Sequence, residues 1–300
     1  MIKRIKGPAL LTITALIWGA AFVAQSVGMD YIGPFTFLTA RSFVGGIVLI
    51  PLIAVMSRGG KKKEAARIAA DGNYLWLKGG ALCGVFLFAA SACQQIGIQY
   101  TTAGEAGFMT ALYIVIVPVL GIFMGRKAGI KIWGAVAVAL IGAYLLSVKD
   151  GFRISEGIWW LLACSVLYSF HILVCDRYGN MADPVKISCV QFFVCGILSL
   201  IFTAVLEKPE FGTIIDAWIP ILYCGVMSSG VAYTLQIIGQ RYTQPTVASL
   251  VMSLESVFSA VFGWIILGQA LSAREISGCA LVFTAVIVSQ LPEKLRSKEA

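Results

Sequence analysis

The chain has 300 residues, of which 59% are apolar and only 13% charged, and its mean hydropathy is +0.87. Soluble domains carry about a quarter charged residues, so this composition excludes a water-soluble globule and points to a polytopic membrane protein. The net charge of +8 would suggest nucleic acid in a soluble protein, but most of the basic residues here sit in short loops between apolar runs, where they report topology.

A helix that crosses the hydrocarbon core needs about 20 largely apolar residues. That rule predicts ten spans, at 8–28, 34–56, 75–98, 103–124, 130–148, 157–176, 184–206, 217–239, 245–267 and 273–291. None alternates with the period of two that a β-barrel strand requires. The first run follows Lys3, Arg4 and Lys6 like a secretory signal, but it is too long for one and ends without an A-x-A site, so it reads as a span. Eight cysteines all fall inside apolar runs, none in a C-x-x-C, and there is one histidine. They read as packing residues, with no metal site or disulfide framework expected.

Ten spans put both termini on one side. Eighteen Lys and Arg fall on that side, among them the basic segment Arg58–Arg67. Four fall on the other, namely Lys149, Arg153, Lys208 and Arg274. This asymmetry predicts cytoplasmic termini. Arg41 lies inside the second span, close enough to its start to snorkel to the outer interface.

The chain also repeats itself, which decides its organisation. At a shift of 142, Ala90, Gln94, Ile96, Gly97, Tyr100, Thr101, Ala106, Leu112, Val115, Val119 and Gly121 recur, eleven identities in 32 gapless positions. At a shift of 150, Pro34, Phe43, Val44, Gly46 and Ile47 recur. Two units are expected, 1–150 and 151–300, with five spans each. Because five is odd, the second unit enters the membrane inverted. The expected fold is therefore an all-α integral membrane protein of ten transmembrane helices in two inverted five-helix repeats. That plan is typical of secondary transporters with a midplane site between the halves.

Polar side chains in spans face the bundle interior or a wet cavity. Ten or eleven residues into a span is about 15 Å, the middle of the core. Trp18, Tyr113, Tyr168 and Glu255 fall there, and the repeat pairs Trp18 with Tyr168 and Tyr113 with Glu255. Helical spacing adds Gln25 to Trp18, His171 to Tyr168, and Tyr233 to Gln236, with Gln94 in the third span and Ser253 beside Glu255. These ten residues are the candidate substrate site, with Glu255 the candidate for proton coupling. Each has a structural alternative. Ser249, Ser253 and Ser256 suit close helix packing, the aromatics suit a core, and His171 suits a satisfied interior position. Glu255 suits a buried acid held by hydroxyls. Pro118 is a candidate kink in the fourth span.

Trp18-Gly19, the Gly97…Tyr100-Thr101 corner, Ala111-Leu112-Tyr113…Pro118 and Ser253-Leu254-Glu255…Gly263 resemble the EamA family of the drug/metabolite transporter superfamily, with one family-like unit per half. The resemblance implies a cavity between the halves lined by the first, third, fourth, sixth, eighth and ninth helices. It also implies export of amino acids or other small metabolites from the bacterial cytoplasm. One departure is Leu267-Gly268-Gln269 where the family often has leucine-glycine-glutamate, so no role for that glutamate carries over.

The expected function is secondary transport by alternating access in a bacterial plasma membrane, with efflux the expected direction. The partners are a small-molecule substrate, the lipid bilayer and protons; no nucleic acid, cofactor, metal or catalytic residue is expected. No G-x-x-x-x-G-K-[ST] loop is present to bind ATP. A passive channel also needs a polar path and remains an alternative. An integral-membrane enzyme acting on lipid-like substrates is a second, opposed by the lack of clustered acids or histidines.

Overall fold

The computed structural model describes residues 2–58, 74–101, 103–126, 128–147, 156–268 and 270–291. Most of the basic segment after Arg58, the loop carrying Lys149 and Arg153, the expected boundary at 150, Gln269 and the C-terminal lysines lie outside them. The described residues are helical, with no strand.

Helices α1 (Ile2–Gly28), α2 (Pro34–Arg58) and α3 (Leu75–Gln99) run unbroken, and α4 comes in two pieces, Ala103–Ala111 and Tyr113–Phe123. Next come α5 (Ile130–Ser147), α6 (Glu156–Gly179) and α7 (Pro184–Leu206). A short helix, Phe211–Asp216, leads into α8, built of Trp218–Leu222, a π-helical stretch Tyr223–Ala232, and Tyr233–Gln240. Finally α9 is broken into Pro245–Met252 and Leu254–Leu267, and α10 is Ala273–Gln290. Among the described residues nine helices are long and apolar enough to cross a membrane, and Ile130–Leu146 is a shorter apolar helix. The outward faces of the bundle carry exposed Ile47, Ile50, Trp159, Ile201, Val205 and Trp264, an apolar surface suited to lipid rather than water.

The two halves touch through contacts that recur at the shifts seen in the sequence. A Cβ on Gly157 would meet the Gly97 carbonyl, Tyr100 and Thr101, and one on Gly7 would meet the Gly239 carbonyl, Tyr242 and Thr243. Gly7 precedes Gly157 by 150, and Gly97 precedes Gly239 by 142. Glycine is required at these crossings because the partner is a backbone carbonyl that no side chain can move aside. The two crossings lie at opposite ends of the bundle, one at the start of α1 and one at the end of α3. Repeat-related residues also meet each other: the rings of Phe43 and Phe193 lie 6.3 Å apart, so the pseudo-two-fold axis passes between them.

Within the equivalent helices α3 and α8 the register changes once. Gly84 in α3 packs on Val194 and the Gln191 carbonyl, whereas Gly225 in α8 packs on Val44 and the Arg41 carbonyl. Those partners are 150 apart, so Gly84 is equivalent to Gly225 at a shift of 141, while thirteen residues on the shift is 142. The π-helical stretch takes up the one extra residue, with the Tyr233 N–H donating to the Ser228 carbonyl five residues back.

Helix starts follow local chemistry where the sequence allows it. Pro184 begins α7, and the Asp183 side chain accepts from the N–H groups of Val185 at 2.9 Å and Lys186 at 3.3 Å. The equivalent residue before α2 is Gly33, which has no side chain. Its place is taken by Glu207, at the end of α7, whose carboxylate accepts from the Phe35 and Thr36 N–H groups at 2.8 Å each and from the Thr36 hydroxyl at 2.5 Å. Losing such a cap costs about 1 kcal/mol. Glu207→Ala is expected to lower the unfolding midpoint in detergent, while Glu210→Ala, whose side chain makes no cap bond, leaves it within error.

A small cavity between the halves lined by polar side chains

At the centre of the bundle a small cavity is walled by side chains of both halves. Trp18 and Gln25 reach it from α1, Gln94 from α3, Thr110 and Tyr113 from α4. From the second half come Tyr168 on α6, Tyr233 and Gln236 on α8 and Glu255 on α9. Thus eight of the expected site residues share one wall. His171 and Ser253 are not on it. His171 is fully buried and pairs Nε2 with Gln191 Oε1 at 3.1 Å on the far side of α6. The Ser253 hydroxyl donates to the Leu250 carbonyl at 2.7 Å.

Broken helices bring the midplane residues together. In α4 the break falls at Leu112, whose N–H bonds the Met109 carbonyl three residues back. Pro118 lies six residues further on, inside Tyr113–Phe123. In α9 the hydroxyls of Ser249, Ser253 and Ser256 each bond a carbonyl three residues back, a pattern that bends helices. The residues that matter stand just after the breaks, Tyr113 one residue beyond Leu112 and Glu255 two beyond Ser253, and Tyr113 Oη donates to Glu255 Oε1 at 2.9 Å. These two are equivalents at a shift of 142, so the pseudo-axis runs between them.

A second network links the tyrosines. Tyr168 Oη lies 3.0 Å from Ser91 Oγ and 3.1 Å from Tyr233 Oη. The Tyr233 ring packs 4.7 Å from the Trp18 ring, tilted by 57°. Gln94 Nε2 donates to Thr110 Oγ1 at 3.3 Å. Two groups on residues lining the cavity remain unsatisfied: of the five buried polar atoms with no hydrogen-bond partner among the described residues, Trp18 Nε1 and Gln236 Oε1 belong to this wall. Such a donor and acceptor on a cavity wall cost free energy until something fills the space between them.

Arg41 corrects the sequence reading. It is 4% exposed, and instead of snorkelling outward it lines the same cavity, with Nη1 donating to Gln25 Oε1 at 3.0 Å. Seven residues beyond Pro34 is about 10 Å along the helix, so the interface is a long reach, and the cavity supplies polar partners nearer at hand. The cavity therefore holds a guanidinium and a carboxylate. The ion pair recorded among the described residues joins Arg126 and Asp176 instead, at 2.7 Å. The free space is about 30 Å³, room for roughly one or two waters.

The EamA-like transporter family matches this chain over residues 5–148 and again over 155–290. A protein described as an uncharacterized transporter from Archaeoglobus fulgidus is 28% identical over 291 residues, 97% of this chain and 87% of that protein. The chloroplastic WAT1-related protein At3g02690 of Arabidopsis thaliana is 23% identical over 92% of this chain and 67% of its own length. The uncharacterized transporter YoaV of Bacillus subtilis is 20% identical, with 96% and 97% covered. A solved crystal structure superposes with a TM-score of 0.74 at 18% identity over 94% of this chain and 96% of that one, which establishes the fold. The matches span both halves, and the chain belongs to the EamA-like transporter family.

Proposed function

We propose that this membrane transporter exports small zwitterionic metabolites, amino acids first among them, by alternating access at the central cavity. The observation that carries this reading is that, among the described residues, Arg41 and Glu255 line the same cavity without an ion pair between them. A buried guanidinium offers a planar fork for a carboxylate. A buried carboxylate held by one tyrosine hydroxyl offers a seat for an ammonium group. Trp18, Tyr168 and Tyr233 then face the substrate's side chain. The unpaired Trp18 Nε1 and Gln236 Oε1 gain partners when it binds.

A cavity of about 30 Å³ is too small for such a molecule, so binding requires the halves to part. The glycine crossings at opposite ends of the bundle are suited to opening one at a time, which is the rocking motion of inverted repeats. Glu255 serves as the coupling group: a carboxylate in the membrane interior holds either a proton or a cationic substrate group, and the two compete for it. We place both termini in the cytoplasm of a bacterial inner membrane, on the excess of Lys and Arg in the loops of that side.

The test is counterflow in proteoliposomes preloaded in turn with unlabelled amino acids and nucleosides. Labelled amino acid outside is expected to overshoot its equilibrium level transiently. Overshoot with nucleosides alone overturns the substrate class, and equilibration without overshoot in every case indicates a pore.

A further inference from the structure

Behind the cavity wall, towards the end of the bundle that carries Leu75 and Gly179, three soft donor groups meet that transport does not use. Cys83 Sγ on α3 lies 3.6 Å from Cys175 Sγ on α6. His171, one turn before Cys175, sets Nε2 3.4 Å from the same sulfur. All three side chains are fully buried, and their donor atoms lie within 4.8 Å of one another. Gln191 on α7 adds an oxygen, Oε1, 3.1 Å from His171 Nε2.

Tetrahedral zinc binds sulfur at about 2.3 Å and imidazole nitrogen at about 2.0–2.1 Å. Those bond lengths set edges of roughly 3.8 Å between two sulfurs and 3.6 Å between sulfur and nitrogen. The observed 3.6 Å and 3.4 Å edges fall about 0.2 Å short, and the third edge, Cys83 Sγ to the His171 nitrogen, lies within 4.8 Å, so side-chain rotation has to bring it to about 3.6 Å as the ion enters. His171 and Cys175 share a helix face at i, i+4, and Cys83 approaches them from the other half of the molecule. Charge balance selects the ion. Two thiolates, a neutral imidazole and an amide oxygen around a divalent cation sum to zero, the arrangement least costly to bury away from water. Calcium and magnesium want more oxygens than this pocket offers. A Cys83–Cys175 disulfide would need the sulfurs to close to about 2.05 Å and would leave the His171–Gln191 contact without a part.

The geometry points to a site for a borderline-soft divalent cation, zinc by its chemistry, held by Cys83, Cys175 and His171 with Gln191 Oε1 as the fourth donor. Binding displaces the two thiol protons to solvent, and His171 presents Nε2 to the metal while its proton moves to Nδ1. The ion would clamp α3 of the first half to α6 and α7 of the second. It would also sit directly behind the cavity, because the His171 ring packs edge-on against Tyr168 at 6.3 Å and Tyr233 at 5.8 Å.

The test uses the full chain, purified in detergent under reducing conditions, equilibrated with Zn²⁺ and then dialysed against metal-free buffer. Elemental analysis is expected to find about one zinc per chain. Cys83→Ser and Cys175→Ser should each lose it, while Cys279→Ser on α10 keeps it. With Co²⁺ in place of Zn²⁺, thiolate-to-metal charge-transfer absorption should appear in the parent protein and vanish in the two serine variants. Added Zn²⁺ should raise the unfolding midpoint of the parent and leave that of Cys83→Ser unmoved, which separates metal binding from a folding defect. Zinc well below one per chain overturns the site, as does equal retention by Cys83→Ser or an oxidised Cys83–Cys175 pair in protein that binds none.

Discussion

Replacing Arg41 by glutamine is expected to raise the half-saturating concentration of an amino acid in counterflow about a hundredfold. Removing one partner of a buried, hydrogen-bonded charge pair costs roughly 2–5 kcal/mol, and each 1.4 kcal/mol is a factor of about ten. Arg41→Lys keeps the charge but loses the planar fork, so its effect should be nearer tenfold. The discriminating comparison is with the corresponding amine, which has no carboxylate. Arg41→Gln should leave amine transport close to that of the parent, and an equal loss for both substrates would mean that Arg41 holds the helices rather than the ligand. Glu255→Gln is the complementary case. The amide oxygen can still accept from Tyr113 Oη, so the local geometry survives while the charge is gone. Affinity for the ammonium group should fall by about tenfold or more. The exchange that remains should no longer respond to an imposed pH gradient, and a preserved response would remove Glu255 from coupling.

The second large effect is expected far from the cavity. A Cβ on Gly278 of α10 would lie 2.5 Å from the Gly142 carbonyl of α5 and 2.7 Å from the Leu146 nitrogen. Nothing there can rotate away, because the obstacles are backbone atoms. Valine at position 278 must push α5 and α10 apart, and overpacking of this kind costs about 3 kcal/mol. Such closeness is also what holds helices together where no hydrophobic driving force acts between them. Gly134 on the same α5 makes a control, since a Cβ there meets nothing within 4 Å. Gly134→Ala should be neutral, or stabilising by up to about 1 kcal/mol through helix propensity. Thermal unfolding in detergent reads both, and a small shift for Gly278→Val would show that α5 and α10 are not held by this crossing.

The helices and their self-similarity were legible because apolar run length and recurring glutamine, tyrosine and glycine positions are properties of the chain alone. Most of the cavity wall followed from the same source, since midplane depth and helical spacing select Trp18, Tyr113, Tyr168 and Glu255 without knowledge of any contact. The place of Arg41 is not legible in the sequence, because its partner Gln25 sits on another helix, 16 residues away, and no local spacing announces it. Helical spacing alone does not separate His171 and Ser253 from the cavity, because one helix face covers about a hundred degrees, wide enough to touch two different neighbours. His171 turns to α7, and the Ser253 hydroxyl turns back on its own helix. Ser228 and Thr110 also line the cavity, and only their position within polar stripes could have suggested them. The cysteine–histidine cluster was invisible to a search for short metal motifs, because Cys83 is 88 residues away from His171.

The single residue inserted into α8 has a consequence for direction. If transport runs by the alternating access proposed above, two identical halves related by a two-fold axis would make the inward-facing and outward-facing forms rotational copies of each other with equal energy, so the empty carrier would rest as often one way as the other. The halves of this chain already differ in most side chains, and the π-helical stretch Tyr223–Ala232 adds a difference in the backbone itself. It gives α8 a wider, differently bonded turn beside Tyr233 and Gln236 that α3 does not share. On that mechanism the chain itself biases the resting orientation of the unloaded protein before any gradient acts on it, and deleting one residue from this stretch is expected to shift that bias.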